Sequence, residues 1–98
     1  MSKITKSAQG EQCQVQYPWI KWHNPETVVF AHANGISFGK GMGQKAKDEF
    51  GAYACYECHM TYDGHISRPK HITKQMVNEM FAKGMERTRK LLQEKGLL

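Results

Sequence analysis

Cys55-Tyr56-Glu57-Cys58-His59 is the stretch on which the reading of this chain turns. It follows a short apolar run, Phe50 to Ala54, that suits a strand. It opens a segment of helical pattern that runs to about Asp63, where Gly64 ends it. Two thiolates at i and i+3, on a turn entering a helix, converge on one tetrahedral ion. The same cysteines also fit as small buried apolar residues. His59 and Asp63 stand at i and i+4, so a helix places both on one face, as a divalent-cation pair or as a plain solvent-facing pair.

Working outward, Cys13 completes a set of three cysteines. An odd count with a C-x-x-C pair argues against a disulfide scaffold and for a metal site or a redox pair. Folding can bring Cys13 in as a third ligand. His23 is the nearest substitute for a missing fourth cysteine. Cys13 to Ile20 alternates in part (Val15, Tyr17, Ile20) and predicts extended chain broken by Pro18. Asn24-Pro25-Glu26 is a turn signal. Thr27-Val28-Val29-Phe30-Ala31-His32 is the best strand, β-branched and aromatic. His32 ends it, either as a side chain suited to take a proton near neutral pH or as an ordinary strand-end histidine. Gly35, Gly39, Gly41 and Gly43 then interleave with Lys40, Lys45 and Lys47, which predicts a flexible basic loop. Such loops grip phosphates without reading sequence.

Arg68-Pro69 breaks the chain, and Thr73 is a good N-cap for a last helix from Lys74 to about Lys95. Val77, Met80, Phe81 and Leu91 predict its buried stripe, with Gly84 and Thr88 as small residues for close packing. Gly96 suits a C-terminal cap. Arg68, Lys70 and Lys74 extend the positive charge. Lys83, Arg87, Arg89 and Lys90 read as an outward face, solvated and offset by Glu79, Glu86 and Glu94. Trp19 and Trp22 flank Lys21 and suit base stacking, core packing or a dimer contact.

At 98 residues, 40% hydrophobic and 23% charged, the chain predicts one globular domain over residues 1–98, of α+β class. No stretch approaches the roughly 18 apolar residues of a membrane span, and the first residues lack an apolar leader, so a cytoplasmic protein is expected. A net charge of +5 favours a polyanionic partner. A thioredoxin-like role for the C-x-x-C pair needs a βαβ framework, for which the chain has too few strands.

The order of Cys13, a strand ending in His32, a Gly/Lys loop carrying Asp48, and C-x-x-C-His59 on a helix resembles the HNH, or ββα-metal, endonucleases over about residues 13–63. Nearly the whole chain is similar to the YbcO-like phage and prophage nucleases. The likeness lies in Gly10-Glu-Gln-Cys13-Gln-Val, Asn24-Pro-Glu-Thr27, Ala31-His32, Ala54-Cys55-x-x-Cys58-His59 with Asp63, and Gly84-Met85-x-Arg87-Thr88.

The resemblance implies a small ββα-metal core with a long C-terminal helix at about 73–95. It implies metal-dependent hydrolysis of DNA phosphodiester bonds in phage recombination or repair, inside the host cytoplasm. His32 would be the general base, and Asp48 would touch the metal or orient His32. His59 with Asp63 would hold a catalytic magnesium or manganese ion. Cys13, Cys55, Cys58 and a fourth group, His23, would hold a structural zinc. Lys40, Lys45, Lys47, Arg68 and Lys70 would contact the nucleic acid. Cutting both strands would favour a homodimer. Two departures stand out. Lys21 replaces a second cysteine of the YbcO-like pattern, and Ala31 stands where many HNH enzymes carry a metal-binding Asp or His. They leave open an inactive HNH scaffold that binds DNA or a host protein.

Overall fold

The structure, a computed structural model, describes residues 3–33 and 50–98. The expected basic loop, with Lys40, Lys45, Lys47 and Asp48, lies outside the described residues. In chain order the elements are α1 (Lys3–Lys6), a 3-10 turn (Pro25–Thr27), β1 (Val29–His32), β2 (Gly51–Ala54), α2 (Tyr56–Tyr62) and α3 (Lys74–Glu94). This is a small α+β fold: an antiparallel strand pair, a short helix and a long C-terminal helix.

β1 and β2 pair with Val29 opposite Ala54 and His32 opposite Gly51. Phe30, Ala31 and all of β2 are buried. The Phe30 ring meets Tyr53 and His32 edge-on, at 6.2 and 5.2 Å between centroids. Gly51 is required there: a Cβ would stand 2.6 Å from both the Ala31 carbonyl and the Phe30 ring. Away from β1, the Tyr53 N–H donates to Thr88 Oγ1 (3.0 Å) and the Tyr53 carbonyl accepts from the Gln14 N–H (2.8 Å). The outer edge of β2 is thus covered rather than left open to another strand.

Residues 13–20 correct one expectation. Their alternation is real as burial, since Cys13, Val15 and Tyr17 are buried, but they form no strand. Gln16 adopts φ 51°, a left-handed turn that no ladder accommodates. Tyr17, buried, donates its hydroxyl to the Val77 carbonyl at 3.2 Å and stacks on Trp19 at 4.8 Å.

α3 begins where expected: Thr73 accepts from the Met76 N–H at 3.1 Å. Its end is followed by Gly96 at φ 75°. The buried stripe is Val77, Phe81, Gly84, Thr88 and Leu92; Met80 and Leu91, expected in it, are half-buried. From Thr88 the next residue on the same face is i+4, with Leu91 beside it. Tyr62 stacks on Phe81 at 3.6 Å and joins α2 to α3.

Arg87 is exposed, as expected of the outward face, and from there its Nε and Nη2 both donate to the Gln14 carbonyl. One turn earlier, Gly84 lies against the same segment: a Cβ would fall 2.9 Å from Val15 Cα and 3.0 Å from the Gln14 oxygen. Thr88 Oγ1 donates to the Gly84 carbonyl (2.8 Å) while it receives the Tyr53 N–H. Helix propensity alone would make Gly84→Ala stabilising by up to about 1 kcal/mol. Here the neighbours are backbone atoms that cannot swing aside, so the substitution should instead cost about 1–3 kcal/mol. Denaturant melts decide the sign; a more stable Gly84→Ala protein would show that this crossing is not tight.

Among the described residues, no helix is long and apolar enough to cross a membrane.

Candidate metal centre and the helix beside it

The fold gathers Cys13, His23, Cys55 and Cys58 from three separate stretches. Their ligand atoms all lie within 4.8 Å of one another. Cys13 Sγ is 3.7 Å from Cys58 Sγ, and His23 Nδ1 is 3.4 Å from Cys55 Sγ and 3.3 Å from Cys58 Sγ. A tetrahedral ion with S and N bonds near 2.3 and 2.0 Å would have edges of about 3.5–3.8 Å. The donor set therefore fits one four-coordinate ion closely. All three cysteines are free thiols and buried. Hydrogen bonds from Cys55 and Cys58 hold Cys13 far below the ordinary thiol range. The same bonds to Cys13 push Cys55 and Cys58 up. Three buried thiolates together need a positive ion.

Each ligand is set by local structure. The left-handed turn at Gln16 brings its N–H to 3.5 Å from Cys13 Sγ. Asn24 caps the 3-10 turn, accepting from the Glu26 N–H at 3.0 Å, which fixes the chain just after His23. Thr27 Oγ1 donates to the Asn24 carbonyl (2.8 Å) and accepts the first N–H of α2, from Tyr56, at 3.0 Å. Thr27 thereby ties the His23 segment to the Cys55 end of α2, where Cys55 supplies no side-chain cap of its own.

The next residue of α2 turns away from this centre. His59 Nε2 lies 3.1 Å from Asp63 Oδ2, with both side chains a little under a third exposed. That separation is close to the roughly 3.0 Å edge of an octahedral ion with 2.1 Å bonds. The pair expected from spacing is thus formed. His32 is the exposed last residue of β1, against the Phe30 ring. Arg68 and Lys70 lie between α2 and α3, with Arg68 Nε donating to the Ile72 carbonyl at 2.7 Å. Asp48, Lys40, Lys45 and Lys47 lie outside the described residues. Thr27 and the Arg87–Gln14 contact are positioning features that spacing alone does not single out.

Comparison with known proteins places this geometry in context. A family profile described as "Putative nuclease YbcO" matches residues 2–97. The chain belongs to the YbcO family. Relatives named "Putative nuclease YbcO", from Escherichia coli (strain K12), and "Putative nuclease ybcO", from Enterobacteria phage 82, are each 32% identical over 98 residues. The match covers 100% of this chain and 98% of each of them. A solved structure described as a putative bacteriophage protein from Escherichia coli K-12 superposes with a TM-score of 0.72 at 30% identity, covering 95% of this chain and 99% of that one. The stretches that carry the YbcO likeness have structural roles in this chain. Asn24-Pro-Glu-Thr27 sets His23 against α2, and Gly84-Met-x-Arg87-Thr88 holds the Cys13 turn.

Proposed function

We propose that this chain is a metal-dependent endonuclease of HNH type that hydrolyses DNA phosphodiester bonds in phage recombination or repair. The observation that carries the reading is the His59–Asp63 pair, on a helix whose preceding residues belong to a rigid Cys3His centre. The names of the relatives support it.

In this reading Cys13, His23, Cys55 and Cys58 hold a structural zinc that fixes α2. Its thiolates leave it little Lewis acidity. His59 and Asp63 are the residues that would hold magnesium or manganese. When bound there, that ion stabilises charge on the leaving oxygen. Neutral His32 takes a proton from water as the water oxygen attacks phosphorus. The P–O3′ bond breaks, leaving 5′-phosphate and 3′-hydroxyl ends, and the 3′ oxygen takes up a proton. Asp48 either contacts the cation or orients His32. Lys40, Lys45, Lys47, Arg68 and Lys70 neutralise backbone phosphates.

A specific observation favours a second reading. Ala31, where many HNH enzymes carry a ligand, is a buried side chain of β1. An inactive scaffold that binds DNA or a host protein follows from it. Incubation with supercoiled plasmid, with and without manganese, separates the two. Metal-dependent nicking is expected. DNA binding without nicking, from folded protein over several metals, would replace the nuclease reading with the scaffold.

A further inference from the structure

On the opposite side of α2 from His59 and Asp63, two depressions of about 410 and 430 Å³ share Thr61, Ile66 and Ser67 as lining. They adjoin along these shared residues, as one groove. The two sides of α2 are separate by helix geometry. Glu57 and Thr61 are one i,i+4 pair, His59 and Asp63 another, and the offset of two residues turns them roughly 200° apart.

The groove has an unusual lining. At one end Trp22 is 68% exposed, and at the junction of the two depressions Ile66 is 38% exposed. A large indole left in water on a small protein wants a flat apolar partner. At the other end, Arg68, Lys70 and Lys74 line the first depression, which has no acidic residue in its lining. Lys21 lies beside Trp22, with Glu57 the acidic group of that end. A row of cations next to an exposed aromatic face suits phosphates running past an unstacked base. A duplex offers phosphates but keeps its base faces stacked inside, so it would leave Trp22 and Ile66 without a partner. Each depression lies in the roughly 300–1,000 Å³ range of small-ligand pockets, enough for a nucleotide.

We propose that this groove binds a single-stranded segment of the nucleic-acid substrate, with a base stacked on Trp22 and its phosphates on Arg68, Lys70 and Lys74. The proposal rests on the nucleic-acid reading of the family and names the form of substrate that the groove takes. It assigns to the protein a branched or partly unpaired substrate, held on one side of α2 while His59 faces the other.

The test is binding without added magnesium or manganese, so that no cleavage is needed. Oligothymidylate is titrated while tryptophan emission is followed; the chain has 2 tryptophans, and Trp19 is stacked on Tyr17. Quenching is expected, with single strand preferred over a duplex of equal length. Trp22→Ala should weaken binding about 5- to 100-fold with melting unchanged. Lys70→Glu with Lys74→Glu should flatten the dependence of log affinity on log salt by about 1.4. Equal affinity for duplex, or undiminished binding by Trp22→Ala, would overturn the groove. So would a wild-type dimer that Trp22→Ala turns into a monomer, which would assign the groove to a second copy. Plasmid nicking distinguishes the two failures. Trp22-dependent binding without nicking removes only the catalytic reading; nicking with Trp22-independent binding removes only the groove.

Discussion

Stripping the Cys13–His23–Cys55–Cys58 centre of its ion is expected to unfold the chain. The centre joins three stretches: the Gln16 turn, the segment before the 3-10 turn, and the start of α2. Metal binding to such sets is worth about 10–16 kcal/mol in small zinc modules. Domains of this size have total stabilities of about 5–15 kcal/mol. The two ranges overlap, so losing the ion removes a share of the stability comparable to the whole, and global unfolding is the expected result. Circular dichroism melts should lose their cooperative transition in a strong chelator and regain it with zinc. Native mass spectrometry should find one ion per chain, absent from Cys58→Ser. The pH dependence has a definite sign. Hydrogen bonding in the free cluster holds the Cys13 thiol low and pushes Cys55 and Cys58 up. Coordination requires all three as thiolates, so loading the site releases protons, and the stabilisation it brings fades as pH falls. An unchanged melt in chelator would sink the structural-zinc assignment.

The second large effect is on catalysis. His59→Ala should lower plasmid nicking about 10²- to 10⁴-fold, the range for loss of a group that holds a catalytic ion or proton. Melting should stay near the wild-type value, because the His59 side chain is partly exposed and lies outside the Cys3His set. Asp63→Asn should weaken the response to manganese, shifting its half-saturation upward before the maximal rate falls. Nicking at the wild-type rate by folded His59→Ala would remove His59 from the site.

The contrast between what spacing revealed and what it did not has a physical basis. Thr73, Gly64, Gly96 and the Asn24-Pro25-Glu26 turn act on backbone groups within a few residues, so their roles are readable locally. The His59–Asp63 pair needs only one helical turn. The stripe on α3 is legible as far as Thr88 except at Met80, which is half-buried; Leu92 replaces Leu91 because 3.6 residues per turn carries the buried face one position further. The Cys13–Ile20 segment misleads because alternate burial mimics a strand while Gln16 bends the chain back. His23 is legible as the nearest substitute for a fourth cysteine, and the fold brings it to the three sulfurs. That Arg87 bonds the Gln14 carbonyl, 73 positions away, is encoded by no local pattern.

The grip of α3 on the Gln14–Val15 backbone bears on more than packing. Cys13 is the residue just before that grip, and it is one of the four donors. Ion occupancy and helix docking therefore share one free energy, and thermodynamic linkage is reciprocal. Whatever factor an ion adds to the docking equilibrium of α3, docking adds to the affinity for the ion. The middle of α3 is in this sense a remote part of the coordination site, although it donates no ligand.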